Sequence, residues 1–249
     1  MATLRKSLKP LVFVIITVPV FMVLYTFTGV SALLVWPFAF TGRKGTVRFL
    51  VRHWAWMIFL LMGKRLRISG TENIQPGRKY ILLANHSSIF DITAILVFFP
   101  GISWFGREHL LRIPVFGQIL RKIDYIPMTR ADVRNTRVML DQLVRKSTGL
   151  SIAMFPEGTR TLDGDVNPFR RGFIRLLKST DLDLLPVTLT GFHSLKPKNR
   201  FWIDFGSSVG VVIHDPIPNA SLRDKPDQEI IEAVSEKIKS AFPKQIRQS

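Results

Sequence analysis

The chain contains no cysteine among its 249 residues. That excludes disulfides, a cysteine nucleophile and any cysteine-ligated zinc or iron–sulfur site, while saying little about compartment. Acidic residues are scarce as well. Eighteen Asp and Glu stand against 35 Lys and Arg, a formal net charge of +17, with an isoelectric point near 10.8. There is no internal repeat and no low-complexity tract. With 47% of residues hydrophobic, this is not a disordered polycation. High basicity combined with high apolarity points to nucleic acid or to an anionic membrane surface. The length suits one substantial α/β domain plus an accessory segment, not two full domains.

The N-terminus decides between those surfaces. No formal charge occurs between Pro10 and Gly42. As a helix, Leu11 to Trp36 would run about 39 Å at ~1.5 Å per residue, longer than the ~30 Å hydrocarbon core of a bilayer. Arg5, Lys6 and Lys9 precede this run, and Arg43, Lys44, Arg48 and Arg52 follow it. Positive charge at both ends leaves the orientation open. A second apolar block, His53 to Gly63, begins just afterwards. Two readings therefore stand: a membrane span, or a hairpin dipping into one leaflet with Trp36, Trp54 and Trp56 at the headgroups. A cleaved signal peptide is disfavoured, because the apolar core is too long and no small-residue cleavage site precedes Arg43. Residues 1–67 are expected to form an N-terminal membrane-anchoring helical segment.

From residue 68 to 249 the composition becomes that of a soluble domain. Short apolar runs alternate with amphipathic stretches, which is the pattern of β and α units in succession. Strands are expected at Tyr80–Ala84, Ile102–Phe105, Tyr125–Ile126, Leu150–Phe155, Leu184–Leu189 and Phe201–Phe205. Helices are expected at Asp91–Phe99, Val115–Lys122, Ala131–Lys146 and Gly172–Lys178. After Pro226, Ile230, Ile231, Val234, Ile238 and Phe242 recur at helical spacing, so Asp227–Phe242 reads as a C-terminal amphipathic helix. The fold class is α/β, a mixed sheet flanked by helices behind the N-terminal membrane-associated segment.

Directly after the apolar run YILLA comes Asn85-His86-Ser87-Ser88-Ile89-Phe90-Asp91. Positions five apart on a straight helix are roughly 140° off one face. A His86–Asp91 hydrogen bond therefore needs a turn between strand and helix, with Asp91 in the first helical turn. Asp91 would then hold one imidazole nitrogen protonated and leave the other free as a general base. The plain alternative is an ordinary acid at a helix start beside a surface histidine. Downstream, after LSIAM, sits Phe155-Pro156-Glu157-Gly158-Thr159-Arg160. A glycine beside Thr and Arg at a strand end can offer backbone N–H groups and a guanidinium to a phosphate, or can simply be a turn. Between the two lie Arg107-Glu108-His109-Leu110, Ile113-Pro114-Val115-Phe116-Gly117 and Tyr125-Ile126-Pro127-Met128-Thr129-Arg130, and later Leu185-Pro186-Val187.

These blocks, in this order and over roughly Gly70 to Val187, resemble the glycerolipid acyltransferase family, most closely the bacterial 1-acylglycerol-3-phosphate acyltransferases. The family's N-H-x-x-x-x-D and F-P-E-G-T-R motifs match residue for residue. Its G-x-x-F-I-x-R motif is present with Asp124 for Gly, Pro127 for Phe and Met128 for Ile, and with Arg130 retained. The resemblance implies transfer of an acyl group from acyl-CoA or acyl-carrier protein to the free sn-2 hydroxyl of 1-acylglycerol-3-phosphate, giving phosphatidate. It implies His86 and Asp91 as the catalytic pair. It also implies that Glu157, Gly158, Thr159 and Arg160 bind the acceptor phosphate, assisted by Arg130 and Arg107. Asn85 either fixes the loop or helps polarise the carbonyl. Glu157 sits awkwardly in such a set, since a carboxylate repels phosphate; aligning an arginine or accepting from a glycerol hydroxyl suits it better.

The residues agree with direct transfer. The acceptor hydroxyl takes the place of a triad serine, so neither a covalent intermediate nor a G-x-S-x-G elbow is required. No metal is expected, because no His/Asp/Glu set has ligand spacing, and no cofactor beyond the acyl thioester co-substrate. His53, His109, His193 and His214 have no paired motif and read as structural or surface residues. The clusters Lys64–Arg67 and Arg170–Arg175 suit anionic headgroups and phosphorylated substrates; no nucleic-acid-binding pattern accompanies them. The expected partners are membrane lipids, the acyl donor and a lysophospholipid acceptor. The expected location is a bacterial inner membrane with the catalytic domain on the cytoplasmic face. A different lysolipid acceptor is the alternative that the altered second motif raises. A non-catalytic lipid-binding module comes after it.

Overall fold

The structure, a computed structural model, describes residues 2–128, 144 and 149–242, with the backbone alone for 2–10, 105–107 and 128. Two helices lead the chain, α1 (Ala2–Phe40) and α2 (Lys44–Leu61). The sheet follows, built from β1 (Leu66–Ser69), β2 (Tyr80–Ala84), β5 (Ile152–Met154), β6 (Asp183–Thr190) and β7 (Val209–Ile213). Its order is β1-β7-β6-β2-β5. All its pairings are parallel except the antiparallel β6–β7 pair, so the sheet is mixed, as expected. β3 (Phe105–Arg107) and β4 (Ile126–Met128) form a separate parallel pair. Helices α3 (Asp91–Phe98), α4 (Phe116–Lys122), α5 (Gly172–Lys178) and α6 (Asp227–Lys239) complete the described elements of regular length.

β2 lies between β6 and β5 and is buried on both faces, which is why it reads as an unbroken apolar run. Its side chains alternate between two cores. Tyr80, Leu82 and Ala84 join the layer under α2 and α3, while Ile81 and Leu83 join the layer under α5 and α6. Five residues of α2, Val47, Val51, Ala55, Ile58 and Phe59, are buried. The second apolar block thus roofs the sheet as well as following α1. Its outer face still carries exposed Phe49, Trp56 and Leu60. Trp54 is partly buried and its Nε1 donates to Thr28 at 3.2 Å, while Trp36 stays exposed with its Nε1 donating to Gln118 of α4.

The segment Phe201–Phe205, expected as a strand, is not one. Its rings form a seat for α1 instead: Phe13 lies 5.5 Å from Trp202 and 5.8 Å from Phe205, and Phe21 lies 6.1 Å from Phe201. Ile203 N–H also donates to the buried Thr17 hydroxyl at 2.9 Å. The run is aromatic because it packs against a helix, not because it pairs. The strands β1 and β7 stand where none was expected. The sequence Leu66-Arg67-Ile68-Ser69 alternates inward and outward at the sheet edge. Arg130 and the expected helix Ala131–Lys146, apart from Val144, which is helical, lie outside the described residues.

Candidate active site

Between β2 and α3 the chain makes a six-residue turn, Asn85 to Phe90, and Asp91 opens the helix. This is the turn that a His86–Asp91 hydrogen bond requires. His86 Nδ1 lies 2.8 Å from Asp91 Oδ2. The same oxygen accepts the backbone N–H groups of Ser87 at 2.7 Å and Ser88 at 2.8 Å. Three donors on one oxygen assign Nδ1 as the protonated nitrogen and leave Nε2 free as the base. Asp91 is 0% exposed, and its Oδ1 has no hydrogen-bond partner among the described residues. Burial pushes its carboxyl above the ordinary value, and the bonds from His86, Ser88 and Ser87 oppose that rise.

The second motif builds the seat of this histidine. The ring of Phe155 stacks on the His86 imidazole, with centroids 3.9 Å apart and planes 11° from parallel. Glu157 Oε1 accepts the His86 backbone N–H at 2.6 Å, and Oε2 accepts Asn167 N–H at 3.0 Å. Thr161 N–H donates to the His86 carbonyl at 2.9 Å. Both backbone polar groups of His86 are therefore held by the Phe155–Thr161 segment. The expected place of Glu157 in the phosphate-binding set is corrected by this geometry. Glu157 is 2% exposed and both its oxygens are taken by backbone donors. Burial raises its carboxyl, against the pull of those same bonds.

Gly158 also serves the turn, because its N–H donates to the Phe155 carbonyl at 3.0 Å and its φ of +72° favours glycine. Thr159 is exposed at the tip. Arg160 is half-buried and makes no hydrogen bond or ion pair with the described residues, so its guanidinium is available to an anion. Arg107 ends β3, in register with Met128 of β4, two positions before Arg130. Asn85 takes the loop-fixing role: its Nδ2 donates to the Leu189 carbonyl at 3.0 Å and its Oδ1 accepts Leu189 N–H at 2.7 Å.

Behind the histidine, Trp104 lies 5.6 Å from Phe155 and lines an apolar cavity of about 400 Å³. Thr28 and Val35 of α1, Trp54 of α2, and Ile92 and Leu96 of α3 share its wall. The cavity thus lies between the helical hairpin and the catalytic layer. A neighbouring depression shares Thr28, Ala32 and Phe116 and reaches Tyr25 and Leu33 on the outer side of α1. Two groups that motif reading passed over also border the site. Ser88 Oγ donates to the Lys196 carbonyl at 2.8 Å, and the Arg200 guanidinium lies 3.9 Å over the Trp202 ring. The basic spacing K-P-K-N-R was the signal available for them.

Comparison with known proteins agrees with this geometry. The chloroplastic 1-acyl-sn-glycerol-3-phosphate acyltransferase of Brassica napus is 29% identical over 76% of this chain, and the enzyme of that name from Pseudomonas aeruginosa is 30% identical over 68% of it. The chain spans about half the length of the plant relatives it matches (58% of the Brassica napus protein), and 67% of the Pseudomonas one. The crystal structure of the 1-acyl-sn-glycerophosphate (LPA) acyltransferase from Thermotoga maritima superposes with a TM-score of 0.78 at 25% identity, covering 92% of this chain and 95% of that one. The sequence profile of the Acyltransferase family matches residues 65–190, half of the chain, including the His86–Asp91 turn and the Phe155–Thr161 segment. The chain belongs to the acyltransferase family.

Proposed function

We propose that this protein transfers a fatty acyl group from a thioester donor, acyl-CoA or acyl-carrier protein, to the sn-2 hydroxyl of 1-acylglycerol-3-phosphate, giving phosphatidate. The observation that carries the reading is the His86–Asp91 pair, 2.8 Å apart and clamped through the His86 backbone, with an apolar cavity nearby whose wall includes Ile92, next to Asp91, and Trp104, which packs on Phe155. His86 Nε2 takes the proton of the acceptor hydroxyl as that oxygen attacks the thioester carbonyl. Asp91 keeps the imidazole oriented and balances the imidazolium that forms. The tetrahedral intermediate then collapses, the carbon–sulfur bond breaks, and the proton on Nε2 passes to the leaving thiolate. The steps conserve charge and need no metal, no cofactor and no enzyme-bound acyl group.

The cavity is dry enough for an alkyl chain and for little else, which suits a fatty acyl group. Helix α1 supplies Leu11–Phe40, 30 residues long and apolar enough to cross a membrane. Its exposed side chains include Leu11, Ile15, Met22, Leu34 and Phe40. Membrane lipids are thus the partners that fit its outer face and its basic flanks, and a bacterial inner membrane with the catalytic layer on the cytoplasmic side is the location that the family resemblance suggests.

The test is thiol release from oleoyl-CoA by detergent-purified protein with 1-acylglycerol-3-phosphate as acceptor, comparing wild type with His86→Ala. Release by wild type alone, with phosphatidate appearing, is the expected result. Equal release by both would overturn the mechanism. Wild-type activity on other lysolipids but not on this one would overturn the acceptor.

A further inference from the structure

Three segments are bonded together at the His86 loop, and only two of them belong to the motifs that the sequence made conspicuous. The third runs from Phe192 to Trp202. It is tied to the site by the Ser88 Oγ to Lys196 carbonyl bond at 2.8 Å, and to the Arg160 loop by the contact of His193 Nε2 with the Leu162 carbonyl at 3.1 Å. Arg160 precedes Thr161, whose N–H holds the His86 carbonyl at 2.9 Å. Arg160 and Lys196 therefore flank the catalytic loop, each on a segment bonded to it directly.

The Lys196 ammonium is set for an anion. Two of its three donors are taken by carbonyls, Pro197 O at 3.4 Å and Arg200 O. No carboxylate among the described residues pairs with it. Burial, Arg160 and Arg200 all push its pKa down, the mark of a cation held among cations. Arg200 is already committed in part, because its Nε donates to the Trp202 carbonyl and its Nη2 to the carbonyls of Ser194 and Leu195. Glu157, the acid of the adjacent motif, is spent on backbone donors. Two neighbouring positive charges without a counter-ion among the described residues are an unfavourable arrangement. A ligand with two negative charges on one phosphorus relieves it fully, and a ligand with one negative charge relieves only half.

We propose that Lys196 is a specificity-determining residue which, with Arg160, selects a phosphate monoester headgroup over a phosphodiester. This rests on the acceptor reading above and narrows it. In the acceptor, the phosphate hangs one carbon beyond the carbon bearing the attacking hydroxyl. A hydroxyl on His86 Nε2 then carries its phosphate only a short way from the ring, and Lys196, on the segment that Ser88 of the same loop is bonded to, has its third ammonium N–H unspent among the described residues. The lysophospholipids with glycerol or ethanolamine on the phosphate present one charge and extra bulk at that place.

The experiment compares wild type, Lys196→Met and Lys196→Arg, using 1-acylglycerol-3-phosphate and lysophosphatidylglycerol as alternative acceptors with oleoyl-CoA. For the monoester, Lys196→Met is expected to raise KM about tenfold or more while kcat changes little, as suits loss of one charge-assisted bond. The ratio of kcat/KM for monoester over diester should fall by a similar factor, and Lys196→Arg should restore most of it. A purely structural lysine would instead depress both acceptors alike. Equal losses on both, or an unchanged ratio with wild-type KM, would overturn the proposal for Lys196 and leave the acceptor reading intact. Failure of the wild type to use the monoester at all would overturn the acceptor reading itself. Melting curves of Lys196→Met and of Lys196→Gln, which keeps a donor for the Arg200 carbonyl, separate a folding defect from a binding one; a selectivity loss in a variant that melts like wild type is the supporting outcome.

Discussion

Replacing Asp91 by asparagine isolates the charge of this carboxylate from its geometry. One oxygen, Oδ2, accepts from His86 Nδ1, Ser87 N–H and Ser88 N–H, while Oδ1 has no partner. An asparagine whose carbonyl takes the Oδ2 position keeps all three bonds and the same imidazole tautomer. The reverse orientation would set an NH₂ against three donors and is excluded. The amide nitrogen then occupies the unpartnered place, at a cost of about 1–3 kcal/mol for a buried unsatisfied donor. Against this, the buried charge disappears. The Asp91 pKa is raised above its ordinary 3.8, so the ionised form weakens the fold, and its stabilising contribution is lost as pH rises through the folded value. At neutral pH the two effects offset, and Asp91→Asn should melt within about 1 kcal/mol of wild type. Catalysis should suffer far more. An imidazolium and a carboxylate whose charge centres lie about 4 Å apart attract by about 4 kcal/mol at an effective dielectric constant near 20. A neutral amide retains a minor share of that, so about 3 kcal/mol is lost, or roughly 10²-fold in kcat. The assay is initial-rate thiol release under saturating acceptor, with melting curves in the same detergent. A kcat within tenfold of wild type would refute the claim that the charge is used. A collapse of stability with activity per folded molecule intact would refute the three-donor assignment.

Glu157→Gln can satisfy only one of the two backbone donors that the carboxylate now holds. It should lower kcat by about 10- to 100-fold through displacement of His86, with little change in the acceptor KM; a rise in KM alone would return Glu157 to the phosphate site. Asp124 has a φ of +59° and pairs with Lys44 at 2.6 Å and Arg48 at 2.9 Å. Asp124→Gly should lose the pairs but relieve the strain, whereas Asp124→Ala loses the pairs and keeps the strain. Thermal unfolding should therefore find the alanine variant less stable by about 1–2 kcal/mol; equal stabilities would show the turn to be unstrained. His214 lies 2.8 Å from Thr188 Oγ1, which donates to the Ile238 carbonyl at 2.6 Å and so ties the end of α6 to β6. Burial and Lys237 depress its pKa, against the pull of Asp215. Its contribution to stability is present above the ordinary value of about 6.5 and is lost as pH falls below it. Melting temperature should fall less steeply on acidification in His214→Gln than in wild type, and identical slopes would remove His214 from the account.

The elements legible in the sequence were those whose burial is uniform. β2 and β6 are covered on both faces and appear as continuous apolar runs, and α5 and α6 carry helical-period stripes between clear boundaries. What stayed hidden was structure defined by a partner far along the chain. β1 and β7 pair across more than 140 residues, Leu66 with Val209, and each is half-exposed and short. Neither carries enough local pattern to separate it from loop. The aromatic segment at Phe201–Phe205 failed in the opposite sense. Strong β propensity reports a residue that suits a crowded surface, and here the crowding comes from α1.

The site divides along the same line. His86 and Asp91 were legible because both ends of the hydrogen bond fall within one strand–turn–helix unit, where spacing alone dictates the turn. Glu157 was misassigned because its partners, the backbone N–H groups of His86 and Asn167, carry no side-chain signature. A motif shows which residues are required but not which atoms they address. Lys196 was overlooked for a related reason: what marks it is the absence of a counter-charge among the described residues, and a sequence records charges without recording their neighbours. The blocks that look like two separate functions, a base and a phosphate loop, are in three dimensions one device. Phe155, Glu157 and Thr161 hold the ring, N–H and carbonyl of His86. The same short segment extends Arg160 beyond the described contacts. On the proposed function, the acceptor phosphate and the base would thereby be placed by one backbone, so an error in either would shift both, and the hydroxyl and Nε2 would keep their relation when the loop moves as a unit.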